Sequence, residues 1–143
     1  MSVKQISVFL ENHPGALLGL TKVLAEKNVD MRAFSLAETS EFGVARLIVN
    51  DIERTTAVLR DEGFIHSVTP VIAVAVANRP GGLNAALAAL SEAGVNVEYM
   101  YAFTGVGREG AYMLFRVADD EKASAVLRAR GLKLAEQEEL TNL

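Results

Sequence analysis

The sequence predicts an α+β fold of two tandem βαββαβ units, in which each antiparallel sheet carries its helices on one face. Two observations support this prediction. First, the motif Asn12–Leu17 recurs as Asn78–Leu83, so the chain of 143 residues contains a duplication. Second, strand-like and helix-like patterns follow each other in the same order in both halves. We therefore expect one unit over residues 1–69 and another over residues 70–143.

The first half of the first unit reads as a strand followed by a helix. Ile6–Leu10 has strand character. Pro14 suits the first position of a helix, because the N–H that proline lacks would be unpaired there. The helix then places leucines on one face at a spacing of three or four residues. These are Leu17, Leu20 and Leu24.

The second half of that unit reads strand, strand, helix, strand. Val29–Glu38 and Val44–Val49 are joined by a short turn. Asp51 is placed to cap the next helix, and Gly63 stands where a helix C-cap belongs. The last strand is expected over Phe64–Thr69.

The second unit repeats this order. Its first helix carries Leu83, Leu87 and Leu90 on one face. Asp119 is expected to cap the second helix, Gly131 to end it, and Leu132–Glu138 to form the last strand. A βαββαβ unit of this kind is a ferredoxin-like plait. The sheet face away from the helices needs a cover, so we expect oligomerisation.

Pro70 leaves the path between the units open. The last strand of the first unit runs into the first strand of the second with almost no turn. Either the chain bends sharply at Pro70 or one long strand continues through it.

Composition and charge exclude several classes of protein. The absence of cysteine excludes a disulfide scaffold, a thiolate metal site and a cysteine nucleophile. With a formal net charge of −4 and no basic run, the chain is a poor candidate for nucleic acid or anionic membrane. The longest apolar run, Val71–Ala77, is too short for a membrane helix. With no secretory signal pattern at the start, we expect a cytoplasmic protein.

Catalytic and cofactor patterns are also missing from the sequence. The two histidines, His13 and His66, stand apart from any metal-ligand spacing. The stretch Gly105–Gly110 matches G-x-G-x-x-G, but a strand-like segment, Ala111–Val117, follows it where a dinucleotide site needs a helix. We therefore predict a glycine-rich hairpin turn there, and no catalytic residue, cofactor or metal.

The informative chemistry lies where each first strand leads into its helix. Backbone N–H groups at the start of a helix are unpaired, and the helix dipole makes that end positive, so a carboxylate can bind there. The donors are expected at Gly15, Ala16 and Leu17, and in the repeat at Gly81, Gly82 and Leu83. The side chains of Asn12 and Asn78 can accept from an ammonium or donate to a carboxylate.

Asp30 and Asn96 open the following strand at matching positions in the two units. We expect them at the same end of the sheet as the helix starts. Such a site suits a zwitterionic amino acid. The alternative interpretation is that these residues have only a structural role. In that case Asn-x-Pro-Gly is a turn that leads into a helix, and Asp30 only begins a strand.

These residues also carry a family resemblance. Asn12–Leu17 with Asp30, and Asn78–Leu83 with Asn96, occur in register on a βαββαβ topology. Over its whole length the chain resembles a tandem ACT-domain protein. The resemblance implies small regulatory modules that bind amino acids where two ACT units meet, commonly with sheets joined edge to edge.

The resemblance implies a free-standing amino-acid sensor and a set of ligand-binding residues. They are Asn12, Gly15, Ala16, Leu17 and Asp30 in the first unit, and Asn78, Gly81, Gly82, Leu83 and Asn96 in the second. The first unit departs from the family at Asp30, where an amide is frequent. A carboxylate at this position can bind the ammonium of a ligand or repel its carboxylate. The sequence therefore leaves open whether each chain has one ligand site or two. The resemblance further places Tyr99 and Tyr101 in a side-chain pocket, with Met31, Ala33 and Ser35 as smaller counterparts.

Three functional hypotheses follow. The first is a homodimer that binds a free amino acid and transmits its occupancy to a partner, such as an enzyme of amino-acid metabolism. The second is a ligand-free regulatory or interaction subunit of an amino-acid biosynthetic enzyme. The third is an enzyme, which the fold by itself does not exclude.

Overall fold

The two sequence repeats fold into two units, each around its own core. The computed structural model describes residues 2–103 and 110–142. Contacts between residues divide it into Lys4–Thr69 and Pro70–Thr141. Each unit is an antiparallel sheet with two helices on one face, which confirms the predicted fold class.

The first unit has four strands and two helices in the predicted order. They are β1 (Val3–Glu11), α1 (Ala16–Glu26), β2 (Met31–Glu38), β3 (Phe42–Val49), α2 (Ile52–Asp61) and the beginning of β4 (His66–Ala77). The strand order is β2-β3-β1-β4. Alternate residues of each strand, such as Ile6 and Leu47, face the helices and join Leu20, Leu24 and Leu59 in a core.

The second unit repeats this architecture and ends differently. It consists of β4, α3 (Gly82–Glu92), β5 (Val97–Phe103), β6 (Gly110–Val117), α4 (Asp120–Ala129), β7 (Leu134–Ala135) and α5 (Gln137–Thr141). The strand order is β5-β6-β4, and β7 pairs with the other side of β4. Its core contains Phe115, which lies opposite Ile72.

Strand β4 serves both units. It runs without a break over twelve residues and includes Pro70. Of the two paths left open at Pro70, the continuous strand is therefore the one that the chain takes.

The predicted helix boundaries at α2 and α4 are confirmed. The Asp51 carboxylate accepts from the N–H of Arg54 at 3.1 Å, and the Asp119 carboxylate accepts from that of Lys122 at 3.0 Å. Gly63 and Gly131, after these helices, both have a φ of +79°. Glycine adopts that conformation without the steric cost that a Cβ would bring.

The end of the second unit differs from the prediction. A strand over Leu132–Glu138 is wrong, because β7 covers only Leu134–Ala135 and α5 follows it. The Glu136 N–H donates to the carboxylate of Glu139 at 3.2 Å, which caps the short helix. Leu140 of this helix is completely buried, and its burial stabilises the turn away from the sheet.

We expect the attachment of α5 to depend on pH. The Glu136 N–H, and then the ammonium of Lys133, lower the pKa of Glu139 from its ordinary value near 4.5. A group whose pKa is lower in the folded chain contributes stability that is complete above the unfolded value. That contribution is lost as the pH falls through the folded pKa.

Amide hydrogen exchange at Leu140 should therefore speed up as the pH falls below about 4.5, relative to the intrinsic rate of the peptide. In a Glu139→Gln variant the exchange should be faster at neutral pH and lack this acid step. An acid step of equal size in the variant would contradict this account of α5.

Each sheet has one face away from its helices, called here the outer face. In the first unit Gln5 and Ile48 lie on it, because they alternate along their strands with the core residues Ile6 and Leu47. The expectation that oligomerisation covers the outer faces stays a prediction.

Candidate functional site

Each Pro-Gly pair forms a tight turn that leads into a helix. The N–H of Ala16 donates to the His13 carbonyl at 3.3 Å, and Gly15 between them has a φ of 88° and a ψ of −13°. These angles are those of the third residue in a type II turn, where proline is favoured at the second position and glycine at the third. The second unit repeats the turn with a bond of 3.1 Å from Gly82 to Arg79.

The turn moves the helix start by two residues from the prediction. Pro14 is not the first helical residue, because α1 begins at Ala16 with Gly15 as its N-cap. Likewise α3 begins at Gly82 with Gly81 as its N-cap. A backbone with positive φ does not continue a right-handed helix, so the helix starts only after the glycine.

The first turns of α1 and α3, called here the helix starts, have no cap from the protein. Each N-cap is a glycine, which has no side chain to accept from the first-turn N–H groups, and neither first turn contains an acidic residue. By contrast, α2 and α4 are capped by Asp51 and Asp119 and have acidic residues in the first turn. The helix starts therefore keep the electropositive character that favours an anion.

The turn also decides which donors are open. The N–H groups of Ala16 and Gly82 were expected to be free, but both are used in the type II turns. The next two positions of a helix have no partner within it. These are Leu17 and Leu18 in α1, and Leu83 and Asn84 in α3.

Two adjacent glycines at the second helix start have different roles. Gly81 is exposed, has a φ of 89°, and has open space where a Cβ would project. Gly82 is buried, and a Cβ on it would overlap the carbonyl oxygen of Ala77 and lie 3.0 Å from its carbonyl carbon. Gly82 therefore allows α3 to approach the end of β4, whereas the first unit has Ala16 at this position.

Asn12 connects its loop to the turn between β2 and β3. Its side-chain Nδ2 donates to the Thr39 carbonyl at 2.8 Å, and its backbone N–H donates to the Glu41 carbonyl at 2.9 Å. One amide donor of Asn12 is thus engaged by the protein. Asn78 is exposed in the second unit. Residues 104–109, which hold most of the predicted hairpin turn at Gly105–Gly110, lie outside the described residues.

We expect an Asn12→Ala variant to lose about 1 kcal/mol of unfolding free energy, because the Thr39 carbonyl loses its donor. Asn12→Asp should lose at least as much, since a carboxylate cannot donate that bond. Urea denaturation of the two variants measures both values. If both variants unfold at the urea midpoint of the wild type, the hydrogen bond from Asn12 to Thr39 does not stabilise the loop.

Asp30 and Asn96 are not at the same end as the helix starts. Glu11, just before Asn12, lies opposite Phe42, whereas Met31, just after Asp30, lies opposite Val49 at the far end of β3. Strand β2, at about 3.3 Å per residue, separates the two ends by roughly 20 Å or more. The expectation of a common end is wrong for the first unit. The second unit has the same topology, so Asn96 is likewise far from Asn78.

The surroundings of the two residues differ. The Asp30 carboxylate is exposed and lies 3.3 Å from the guanidinium of Arg32, so it already has a cationic partner. The Asp30 N–H donates to the side chain of Asn50 at 3.1 Å. Asn96 lines a shallow groove of the second unit, together with Leu87, Leu90, Ser91, Gly94, Val95 and Val97.

Of the five residues in the expected side-chain pocket, two are buried, Tyr99 and Ser35 are half-buried, and Met31 is exposed. Tyr101 is 9% exposed and Ala33 is 2% exposed. The ring of Phe103, on the same strand, packs edge-on against Tyr112 with centroids 6.4 Å apart. Met31 is the accessible one, at 37%.

Among residues 2–103 and 110–142, no group of three histidine, aspartate or glutamate residues is arranged to hold a metal ion. Within the same ranges, no helix is both long and apolar enough to cross a membrane.

Over its whole length the chain is similar to a known family and to a solved structure. A family model described as an ACT domain pair matches residues 1–143. A protein of known structure from Bacteroides thetaiotaomicron is 36% identical, with a TM-score of 0.92, and the match covers 100% of this chain and 98% of that one.

Two other solved structures share the fold at lower identity. The regulatory subunit of aspartate kinase from Thermus thermophilus is 18% identical, with a TM-score of 0.62 and 90% of each chain covered. That from Thermus flavus is 20% identical, with a TM-score of 0.60 and 88% of each chain covered. No curated protein matches the chain.

Proposed function

The chain belongs to the family of ACT domain pairs, and from this premise we propose that it is a non-catalytic regulatory protein that binds a free amino acid. The observation that carries the proposal is the pair of uncapped helix starts. The chain caps α2 and α4 with its own aspartates but leaves α1 and α3 open after matching type II turns. An amino-acid carboxylate is the anion that would complete them.

The ligand carboxylate would accept hydrogen bonds from Leu17 and Leu18, or from Leu83 and Asn84. Gly15 and Gly81 would let it approach closely, because open space surrounds the place where a Cβ would project. The carbonyl oxygens of Asn12 and Asn78 would accept from the ammonium. Ala16 and Gly82 would support this geometry through the turn.

Asp30 and Asn96 belong to the proposal only through a second copy of the chain. Because each lies at the far end of its own unit, a ligand at a helix start cannot touch the Asp30 or Asn96 of that unit. A homodimer that places a strand start of one copy beside a helix start of the other would bring them together. The ligand would then stabilise the dimer, and its occupancy would be an allosteric signal.

The setting that we propose is cytoplasmic, with an enzyme of amino-acid metabolism responding to the occupied state. A second candidate is a regulatory or interaction subunit that needs no ligand. Exposed apolar side chains on the first unit favour it.

A thermal-shift screen against the twenty amino acids tests the proposal. A ligand that binds only the folded chain adds about 2.7 kcal/mol at 100 times its Kd. For a chain of this size, that corresponds to a rise in Tm of roughly 8 °C. The carboxamide of the active amino acid should give no rise, because it lacks the anion. If no amino acid raises the Tm at millimolar concentration, the sensor is excluded and the ligand-free subunit takes its place.

A further inference from the structure

Three large apolar side chains are exposed together on the outer face of the first unit. Phe9, Phe42 and Ile65, called here the apolar patch, are 46%, 57% and 73% exposed. Glu11 lies opposite Phe42 and two residues from Phe9, so both aromatic rings are on one face. The Phe9 N–H donates to the Ile65 carbonyl at 2.9 Å, which places Ile65 beside Phe9.

In the second unit a helix lies beside the equivalent position, where the side chain of Lys133 is itself 63% exposed. There the Ala75 N–H donates to the Lys133 carbonyl at 2.8 Å, so Lys133 corresponds to Ile65 and Ala75 to Phe9. Helix α5 follows and contacts Lys133 through Glu139 at 3.3 Å. It buries Leu140 completely. The first unit has no such helix, because its last strand continues as β4.

The charges around the apolar patch are acidic. Glu11 is exposed at the end of β1, and Glu41 is exposed in the turn before Phe42. The Glu11 carboxylate lies 3.2 Å from the His13 ring. Arg46 is on the same face but further along β3 and half-buried. The rim therefore favours a cationic partner and disfavours another acidic one.

We propose that the apolar patch is a docking surface for an amphipathic helix of a partner protein, with apolar anchors flanked by lysine or arginine. The position of α5 in the second unit supports a helix as the occupant, and the acidic rim supports basic flanks. A second copy of α5 is a poor occupant, because Glu138 and Glu139 would face Glu11 and Glu41.

The apolar patch is also connected to the first helix start. Asn12 donates hydrogen bonds to the carbonyls of Thr39 and Glu41, and Phe42 is the next residue after Glu41. Ligand binding at the Asn12 loop would therefore shift the turn that carries Phe42. This coupling rests on the proposed amino-acid site, whereas the docking surface itself does not.

Titration of the isotope-labelled full chain with synthetic helical peptides, followed by NMR, tests the docking surface. One peptide has a leucine face and lysines elsewhere, a second has glutamates in place of the lysines, and a third is a scramble of the first. We expect saturable binding of the first, with shifts centred on Phe9, Phe42 and Ile65. The other two peptides should bind at least tenfold more weakly.

Matched variants make the test specific. Phe42→Ala should weaken binding at least tenfold, and Glu41→Gln several-fold. Leu36→Ala is the control, because Leu36 is 45% exposed but on the helix-bearing face of the same sheet. The variants are compared only if their spectra show the wild-type fold.

Four outcomes would overturn the docking surface. They are equal binding of the scrambled peptide, shifts outside the apolar patch, binding to phosphatidylglycerol vesicles that Phe42→Ala abolishes, and conversion of a wild-type dimer to a monomer by Phe42→Ala. The last two would assign the patch to a membrane or to a second copy. Peptide binding does not require a free amino acid as ligand. Failure of the peptides to bind therefore leaves the result of the thermal-shift screen unchanged. An effect of amino acid on peptide affinity reports only on the coupling.

Discussion

A Gly82→Ala variant should lose about 3 kcal/mol of unfolding free energy, a large share of the stability of a domain of this size. The added methyl group would overlap the Ala77 carbonyl oxygen, which is backbone at the end of β4 and has no rotamer to change. The start of α3 would have to move away from the sheet. Its core contacts through Ala86, Ala89 and Leu90 would loosen with it.

Chemical denaturation and a melting curve measure this loss, and we expect a fall in Tm of roughly 10 °C. Gly19→Ala is the matched control, because Gly19 lies inside α1 with nothing within 4 Å of the new methyl group. That variant should be more stable than wild type by about 0.5–1 kcal/mol, from helix propensity alone. If Gly82→Ala gains stability as Gly19→Ala does, the close approach of α3 to β4 is contradicted.

A carboxylate placed at the helix starts should abolish amino-acid binding without harming the fold. Leu18 and Asn84 are the third helical residues of α1 and α3, and both are exposed. A glutamate at this position stabilises a helix through its dipole by about 0.3–1 kcal/mol. The same charge would repel the carboxylate of the ligand.

We expect the combined Leu18→Glu and Asn84→Glu variant to bind at least tenfold more weakly, since like charges about 4 Å apart cost roughly 1–4 kcal/mol near a protein surface. Its Tm without ligand should stay equal or rise slightly. Each single variant shows which unit binds. The glutamine pair is the control, because it has the same shape without the charge. Loss of binding in both pairs would indicate a steric effect instead.

Local patterns in the sequence predicted most of the fold. The duplicated motif, the leucine spacing and the capping aspartates act within a few residues, so Asp51, Asp119, Gly63 and Gly131 have the structures expected of them. The end of the second unit was mispredicted for a tertiary reason. Only Leu134–Ala135 of the predicted strand forms a strand, and α5 begins at Gln137, where it buries Leu140 completely.

The candidate site was predictable only in part. The Pro-Gly motif locates the helix starts, but sequence alone does not separate the conformational need of Gly81 from the packing need of Gly82. The placement of Asp30 depends on which strands pair. Because β3 lies between β1 and β2 and runs antiparallel to both, the end of β1 and the start of β2 are at opposite ends. The sequence did not indicate the exposed apolar patch, since Phe9 reads as an ordinary strand residue and Phe42 as part of the turn between two strands.

The measurement that tests the central claim most directly is the backbone amide NMR spectrum with and without the amino acid found by thermal shift. A carboxylate at a helix start should move the amide protons of Leu17 and Leu18, or of Leu83 and Asn84, downfield in a saturable way. The corresponding amides of α2 and α4, which Asp51 and Asp119 already cap, should not move. Saturable shifts elsewhere that leave both helix starts unchanged would contradict the account.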